Sequence, residues 1–540
     1  MVYNNPIMTK SSLNLFFLCA LFMAFLFSSC QEKRTASKKK KPNILFAISD
    51  DQSYPYAGVY GAKELLTPAT DSVAKRGVRF TNAFCAAPQC SPSRAAILTG
   101  LNIWQLEEAG THSSYFPKKF PVFTQRLTEN GYQLGYTGKP WGPGNWKDAG
   151  WKENPVGPAY NEITYDSVPY TGINKRNYAA NFEAFLTQRK ADAPFFFWYG
   201  CHEPHRVFEE GSGQRAGKRI HAAEVPQFLP GDSLIRSDVL DYCLEIEWFD
   251  SHLGKMLDLL EEKGELDNTI VIITADNGMA FPYAKANLQE YGTHVPLIVA
   301  GPGIAKDIER QQLVSLIDLA PTLLELTDSP LLTGISGRNL ESLLTIQSPD
   351  ININPREFVL TGRERHTHAR PDNFGYPARA IRTAKFLYIH NFDSTRWPAG
   401  NPAIEFPEDH SNPQGFKSMK GGFHDIDNSP SKSFIIDQAK ELPFFYELAV
   451  GKRPKEQLYY IQEDPACIED LSQYPVFHSK KVELRKQLFK ALHQQGDPRV
   501  MGYGEIFESY PRFAGMREFP GFKERGKYNP KFGKAALEKE

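Results

Sequence analysis

Apolar residues gather along the chain in short, nearly unbroken runs, with stretches of helical spacing between them. The runs are NILFAIS at 43–49, YQLGYTG at 132–138, FFFWYG at 195–200, TIVIITA at 269–275 and VPLIVAG at 295–301. A run without polar alternation predicts a strand covered on both faces, as in a buried parallel sheet. Residues 68–76, 123–129, 178–189 and 237–263 place apolar side chains at helical spacing and predict helices. This alternation predicts an α/β fold with a large doubly wound sheet. Beyond about residue 345 the pattern changes. Residues 356–392 read as strands separated by a polar loop, and EQLYYIQEDPACIEDL as strand, turn and helix start. The expected organisation is a large domain over 42–345 and a smaller α+β domain over 346–540. The Gly/Pro-rich stretches 140–158 and 395–425 read as long surface loops.

Residues 1–30 read differently. Lys10 precedes an apolar run at 13–27 that is too short to span a bilayer comfortably, and Ser28-Ser29 lead into Cys30, the pattern of an export signal. LFSSC also resembles the lipobox of bacterial lipoproteins. That resemblance implies a lipidated Cys30 at the mature N-terminus and a membrane anchor facing the periplasm or the cell surface; a plain cleaved signal is the other reading. Residues 31–41, QEKRTASKKKK, have no periodicity and suit a solvated basic tether.

Composition narrows the function classes. A net charge of −1 over 540 residues lacks the basic excess of a nucleic-acid binder, so no nucleic-acid partner is expected. An aromatic content of 13% suits a carbohydrate site and an ordinary core alike. Outside the signal and Cys30, the cysteines Cys85, Cys90, Cys201, Cys243 and Cys467 form an odd set without zinc-like spacing. Cys90 is the plausible odd one.

Its surroundings explain why. In QCSPSRAAILTG, Ser91 is expected to cap a helix, Pro92 to open it and Gly100 to end it. Cys90 then stands at a helix N-terminus with Arg94 one turn on, an arrangement that favours an anion; a buried thiol beside an ordinary helix is the bland reading. Four strand ends add to this. Asp50-Asp51, Lys139, Cys201-His202-Glu203-Pro204-His205-Arg206 and Asp276-Asn277-Gly278 each follow an apolar run, and open α/β sheets bind ligands outside such ends. Asp50, Asp51, Asp276 and Asn277 are hard oxygen donors, better suited to calcium or magnesium than to zinc, although each alone also fits a cap or turn. With Arg94, Lys139, His202 and His205 they suit an anionic ester whose charge grows as its bond breaks.

Cys90-Ser91-Pro92-Ser93-Arg94, continued by Leu98-Thr99-Gly100, resembles the Cys-x-Pro-x-Arg motif of type I sulfatases of the alkaline phosphatase superfamily. PNILFAISDDQ, TPATDSVAKRGVRFTNAF, GYTGKP, HEPH, ITADNG, LVSLIDLAPTLLEL and LYYIQEDP follow in the family's order. The resemblance implies that a separate maturation enzyme oxidises Cys90 to Cα-formylglycine. The hydrated aldehyde then attacks sulfur, the alcohol or amine departs, and elimination of sulfate restores the aldehyde. It also implies one calcium ion held by Asp50, Asp51, Asp276, Asn277 and the residue at 90. Arg94 is implied to steady the hydrated aldehyde, and Lys139, His202 and Lys285 to contact the sulfate. Lys285 or His202 would protonate the leaving group, and a solvated loop lysine is the plain alternative for Lys285.

Two positions depart from the family. Trp141 stands where sulfatases commonly carry a histidine, so His112 is a candidate substitute, and His294 replaces an arginine in EYGTHVP. The spacing of HEPHR, DNGMAFPYAKANL and RHTHARPDNFGYP is similar to the heparan N-sulfatase branch. On that likeness His366, His368 and Arg370 are substrate-subsite candidates for a sulfated glycan, while His205 either reaches the substrate or makes a structural hydrogen bond; algal polysaccharides such as ulvan are the other substrate class. A phosphonate monoester hydrolase or phosphodiesterase, and a decayed glycan-binding surface protein, remain as alternatives.

Overall fold

The computed structural model describes residues 1–2, 40–351, 353, 356–370, 374–402 and 422–513. The expected signal, Cys30 and the tether through residue 39 lie outside the described residues. Among those described, no helix is long and apolar enough to cross a membrane.

From Pro42 onward the described strands are β1 (Asn43–Ser49), β2 (Gly77–Phe80), β3 (Ala83–Phe84), β4 (Gln133–Gly138), β5 (Phe195–Gly200), β6 (Thr269–Ala275), β7 (Leu297–Ala300), β8 (Ile308–Arg310), β9 (Val314–Ser315), β10 (Phe358–Arg363), β11 (Ala378–Thr383), β12 (Phe386–Asn391) and β13 (Glu456–Tyr460). The main sheet runs β4-β5-β1-β6-β7-β2-β8. Its strand β1 is buried along its whole length. Ile44, Phe46 and Ile48 pack into one apolar layer and Leu45 and Ala47 into the opposite one. Both faces are therefore covered, which is why the run shows no alternation.

β4, β5, β1 and β6 are mutually parallel, as expected. β7 is not: it runs antiparallel to β6. A fully buried strand reads the same in either direction. Here the chain spends residues 276–296 on a buried loop and a short turn (Glu290–Thr293) at the carboxyl edge instead of a crossover helix, so it re-enters from that edge.

The helices Pro68–Lys75, Phe123–Glu129 and Tyr178–Gln188 fall where expected. The long helix starts earlier, at Ser233, because the Asp232 side chain caps it by accepting from Leu234 N at 2.8 Å. The helix Cys90–Thr99 also starts earlier than predicted. Its cap position is Gln89, while Ser91 Oγ accepts from Ser113 N at 2.8 Å and cannot serve as cap. Gly100 ends the helix in the left-handed region, φ 70°, as predicted.

A second, antiparallel sheet, β10-β11-β12-β13, forms the C-terminal part of the fold. Ile381, Tyr388 and Leu458 share an apolar cluster with Leu484, Leu488 and Leu492, one stripe of the helix His478–Gln494. After β13 the expected helix start is only a 3-10 turn, Leu471–Gln473. The stretch 140–158 is irregular but not superficial. Trp141, Trp151, Asn154 and Val156 are buried, with Trp151 Nε1 donating to Phe116 O at 2.8 Å and Asn154 Nδ2 to Trp141 O at 2.9 Å. Side-chain amides and indoles satisfy the backbone there, so the loop can go inside. Ala399 and Asp425, in the other stretch read as a surface loop, are buried too; residues 403–421 of it lie outside the described residues.

Candidate active site

Register brings the strand ends together. Ser49 pairs with Ala275, Ile48 with Gly200 and Gly138 with Gly200, so Asp50, Asp276, Cys201 and Lys139 leave the sheet at one level. Two glycines make the approach possible. A Cβ on Gly138, whose φ is +80°, would stand 1.9 Å from Gly200 O, and one on Gly278 would stand 1.8 Å from Tyr291 O. Cys90 arrives on a helix whose ten residues are all buried, and its Sγ donates to Asp50 Oδ1 at 3.3 Å.

Cys90, Asp50, Asp51 and Asp276 offer ligand atoms that all lie within 4.8 Å of one another. Asn277 completes the group. Its Nδ2 donates to Asp51 Oδ1 at 2.7 Å and to Gly278 O at 3.0 Å, two acceptors that fix the amide and leave Oδ1 buried without a hydrogen bond. Such an orphaned acceptor costs about 1–3 kcal/mol, which a cation relieves. Crowded carboxylates plus a bare carbonyl oxygen fit a hard divalent ion.

Each carboxylate of this group also has its own buried cation. Lys139 pairs with Asp50, Lys285 Nζ lies 2.5 Å from Asp51 Oδ2, and Arg94 Nε lies 2.7 Å from Asp276 Oδ2. Burial pushes Asp50 up, but Lys139, His205 and Arg94 outweigh it and hold that carboxyl well below its usual range. For Asp51 burial prevails over Lys285, and it rises to about 6; burial and then Asp50 lift Asp276 to about 6 as well. Burial, followed by the Asp50 charge, drives the Cys90 thiol well above its ordinary value. An unmodified Cys90 therefore stays protonated, and a thiol is a poor nucleophile.

Lys285 is no solvated loop lysine. It is buried between Asp51 and Asp427, whose Oδ2 lies 3.2 Å away, and Ala286 N ties its loop to Pro88 O just before the motif at 2.9 Å. The 201–206 segment is anchored by Glu203, which accepts from Asn174 N at 2.7 Å, Tyr178 Oη at 2.9 Å and Cys201 Sγ at 2.8 Å. His202 Nε2 meets Arg176 Nη1 at 2.8 Å, and burial with Lys139 nearby brings His202 down to about 3. A ring nitrogen of His205 lies within 4.8 Å of Cys90 Sγ and an Asp50 oxygen. Its Nδ1 donates to Arg206 O at 2.6 Å, which leaves the lone pair on Nε2, and burial followed by Lys285 lowers it to about 4.

The remaining candidates are buried as well. His112 Nδ1 contacts His366 O at 3.0 Å and the two rings meet edge to face at 4.7 Å. Burial, His366 and Arg512 depress His112, and Lys285 and Lys139 add to the effect. His368 is buried in the same segment, and Arg370 is committed to Asp425 at 2.7 Å and to Trp397 O. Trp141 packs on Phe116, ring centroids 4.9 Å apart, and donates through Nε1 to Ser91 O at 3.1 Å, so its indole braces the motif helix from within the core. All five of the cysteines from Cys85 to Cys467 are buried and free.

His294 stacks on Tyr54 at 4.2 Å and lies 3.2 Å from Glu290, which Arg382 also grips at 2.7 Å. Burial raises Glu290, yet Arg382 and His294 outweigh it and hold it at about 2. Its folded value is below the ordinary 4.5, so the unfolded chain binds more protons in between. Its contribution to stability is complete above pH about 4.5 and is lost as pH falls toward about 2. Urea midpoints measured across that window should fall less steeply in Glu290→Gln than in the wild type.

Sequence reasoning missed Asp427, Glu203 in its anchoring role and Arg176. Asp427 and Arg176 lie in loops with no strand-end signal, and only folding brings them to Lys285 and His202.

A mixed sheet with a helix-borne residue, an oxygen-rich cation site and buried cations at one edge defines an alkaline phosphatase-like hydrolase of anionic esters. Residues 42–329 match the family model described as Sulfatase, and the chain belongs to the sulfatase family. It is 29% identical over 499 residues to human N-sulphoglucosamine sulphohydrolase, covering 86% of this chain and 93% of that one. An ulvan-active sulfatase of Formosa agariphila is 26% identical over 474 residues, covering 86% and 82%. Among solved structures, the phosphonate monoester hydrolase of Agrobacterium radiobacter superposes with a TM-score of 0.58 at 15% identity, over 85% of this chain and 97% of that one.

Proposed function

We propose that this chain is a calcium-dependent sulfatase that removes sulfate, as an O-ester or a sulfamate, from a sulfated glycan. The observation that carries the reading is the set of three carboxylates, each with its own buried cation, around position 90. The names of the human and Formosa relatives support a glycan substrate, a glucosamine N-sulfate in one and ulvan in the other. The likeness to a phosphonate monoester hydrolase rests on fold alone and does not favour a phosphorus ester.

Asp50, Asp51, Asp276, Asn277 and the residue at 90 are the calcium ligands in this reading, and the ion would supply charge stabilisation for the sulfo oxygens. A formylglycine made from Cys90 would, once hydrated, supply the attacking hydroxyl and later release sulfate. Arg94, whose Nη2 is buried without a partner, is aimed to steady that hydrated group. Lys139 and Lys285 hold charge for the sulfate oxygens, and Lys285, the protonated one of the two candidate acids, gives the leaving oxygen or nitrogen its proton, while His202 contacts the sulfate as a neutral ring. His205 takes the place of the histidine absent at Trp141, with its Nε2 lone pair as the proton acceptor beside position 90. His112 and His366, which touch one another, with His368 and Arg370, are the substrate-subsite candidates in this reading. We further propose export, lipidation of Cys30 and residence at the periplasmic or outer face, on the strength of residues 1–41.

The test is a parallel screen of matured protein against defined O-sulfated and N-sulfated saccharides and matched phosphate diesters. Sulfate release that stops on chelation and returns with calcium is expected. A clear phosphodiester preference overturns the assignment. Peptide mass spectrometry across positions 85–94 must show conversion of Cys90 in the protein assayed.

A further inference from the structure

Arg176 stands just before the helix Tyr178–Gln188, outside every motif that marks the site. Its backbone is pinned, with N donating to Asn174 Oδ1 at 3.0 Å and an isolated antiparallel bridge to Thr164. Its guanidinium reaches the site through Nη1, which donates to His202 Nε2 at 2.8 Å. The other cations gathered here each have a carboxylate: Arg94 has Asp276, Lys139 has Asp50, Lys285 has Asp51 and Asp427, and Arg206 has Asp238. Arg176 has no ion pair among the described residues, and its Nε is buried without a hydrogen-bond partner.

His202 cannot serve as the missing counter-charge, because a neutral imidazole only accepts one hydrogen bond from it. Solvent reaches part of this guanidinium, but its buried Nε has no acceptor, and an anion would supply one. Its planar fork suits two oxygens of a carboxylate or sulfate. Arg176 is thus one side chain removed from the residues assigned to the scissile sulfate.

We propose that Arg176 binds a second anionic group of the substrate, a uronate carboxylate or another sulfate close to the one removed. This rests on the sulfatase reading and narrows its substrate to glycans with neighbouring negative charges.

The test compares matured wild type, Arg176→Gln and Arg176→Lys on three substrates: 4-nitrophenyl sulfate, a monosulfated disaccharide containing a uronate, and a disulfated amino sugar. In Arg176→Gln, kcat/KM on at least one doubly anionic substrate should fall about ten-fold further than on the aryl sulfate, chiefly through KM, with partial rescue by Arg176→Lys. The more affected saccharide identifies the group. An equal loss in kcat on all three substrates means that Arg176 only positions His202, and overturns the proposal. Equal KM values in wild type and variant overturn it as well. Wild-type protein with verified conversion that releases sulfate from none of the three defeats the sulfatase reading itself.

Discussion

Replacing Cys90 by alanine should lower sulfate release on the order of 10⁴-fold or more in kcat, with the fold intact. In the proposed reading the other groups at the site position, polarise or move protons, whereas position 90 alone would supply a covalent partner once converted. The fold tolerates the change because a single sulfur is removed from a helix held by its neighbours: Ser93 Oγ donates to Asp276 O at 2.5 Å and Arg94 Nη1 to Lys139 O at 2.7 Å. The loss of one small buried group costs about 1 kcal/mol. Sulfate release and a melting curve measured on the same preparation check both halves. Turnover near the wild-type rate with an intact melt would sink the assignment of position 90.

Asp276→Asn should have the second large effect, read without any turnover. Asp276 Oδ1 accepts from Asp51 N at 3.1 Å and Oδ2 from Arg94 Nε at 2.7 Å, so one carboxyl fixes the backbone of Asp51 and neutralises a fully buried arginine. Without its charge Arg94 lacks a buried partner, at about 3–5 kcal/mol. The cation group loses one of three carboxylates at the same time. Calcium added to chelator-treated wild type should raise the melting temperature, and the variant should melt lower and respond little. A calcium-induced rise equal to that of the wild type would remove Asp276 from the ligand set.

Much of this was legible in the chain. The parallel strands and the residues that follow them could be read because burial on both faces leaves an unbroken apolar run, and because such sheets deliver chemistry at one edge. What could not be read depends on direction or on distant partners. β7 reverses although its run resembles the others, since hydrophobicity does not encode strand polarity. Ser91 looks like a cap, yet its oxygen serves Ser113, a partner brought by a separate loop. Trp141 hints at a lost function and instead buttresses the helix behind position 90. Lys285 was legible only through the family resemblance, because its partner Asp427 comes from the C-terminal half.

The sealing of Cys90 bears on when the proposed conversion could take place. With 1% of its surface exposed, at the head of a helix locked on all sides, the thiol is beyond the reach of any second protein after the sheet has closed. Under the proposed conversion of Cys90, an oxidising enzyme would have to reach the thiol before the fold closes over it. In that reading a chain that folded before conversion would keep its thiol, protonated and inert.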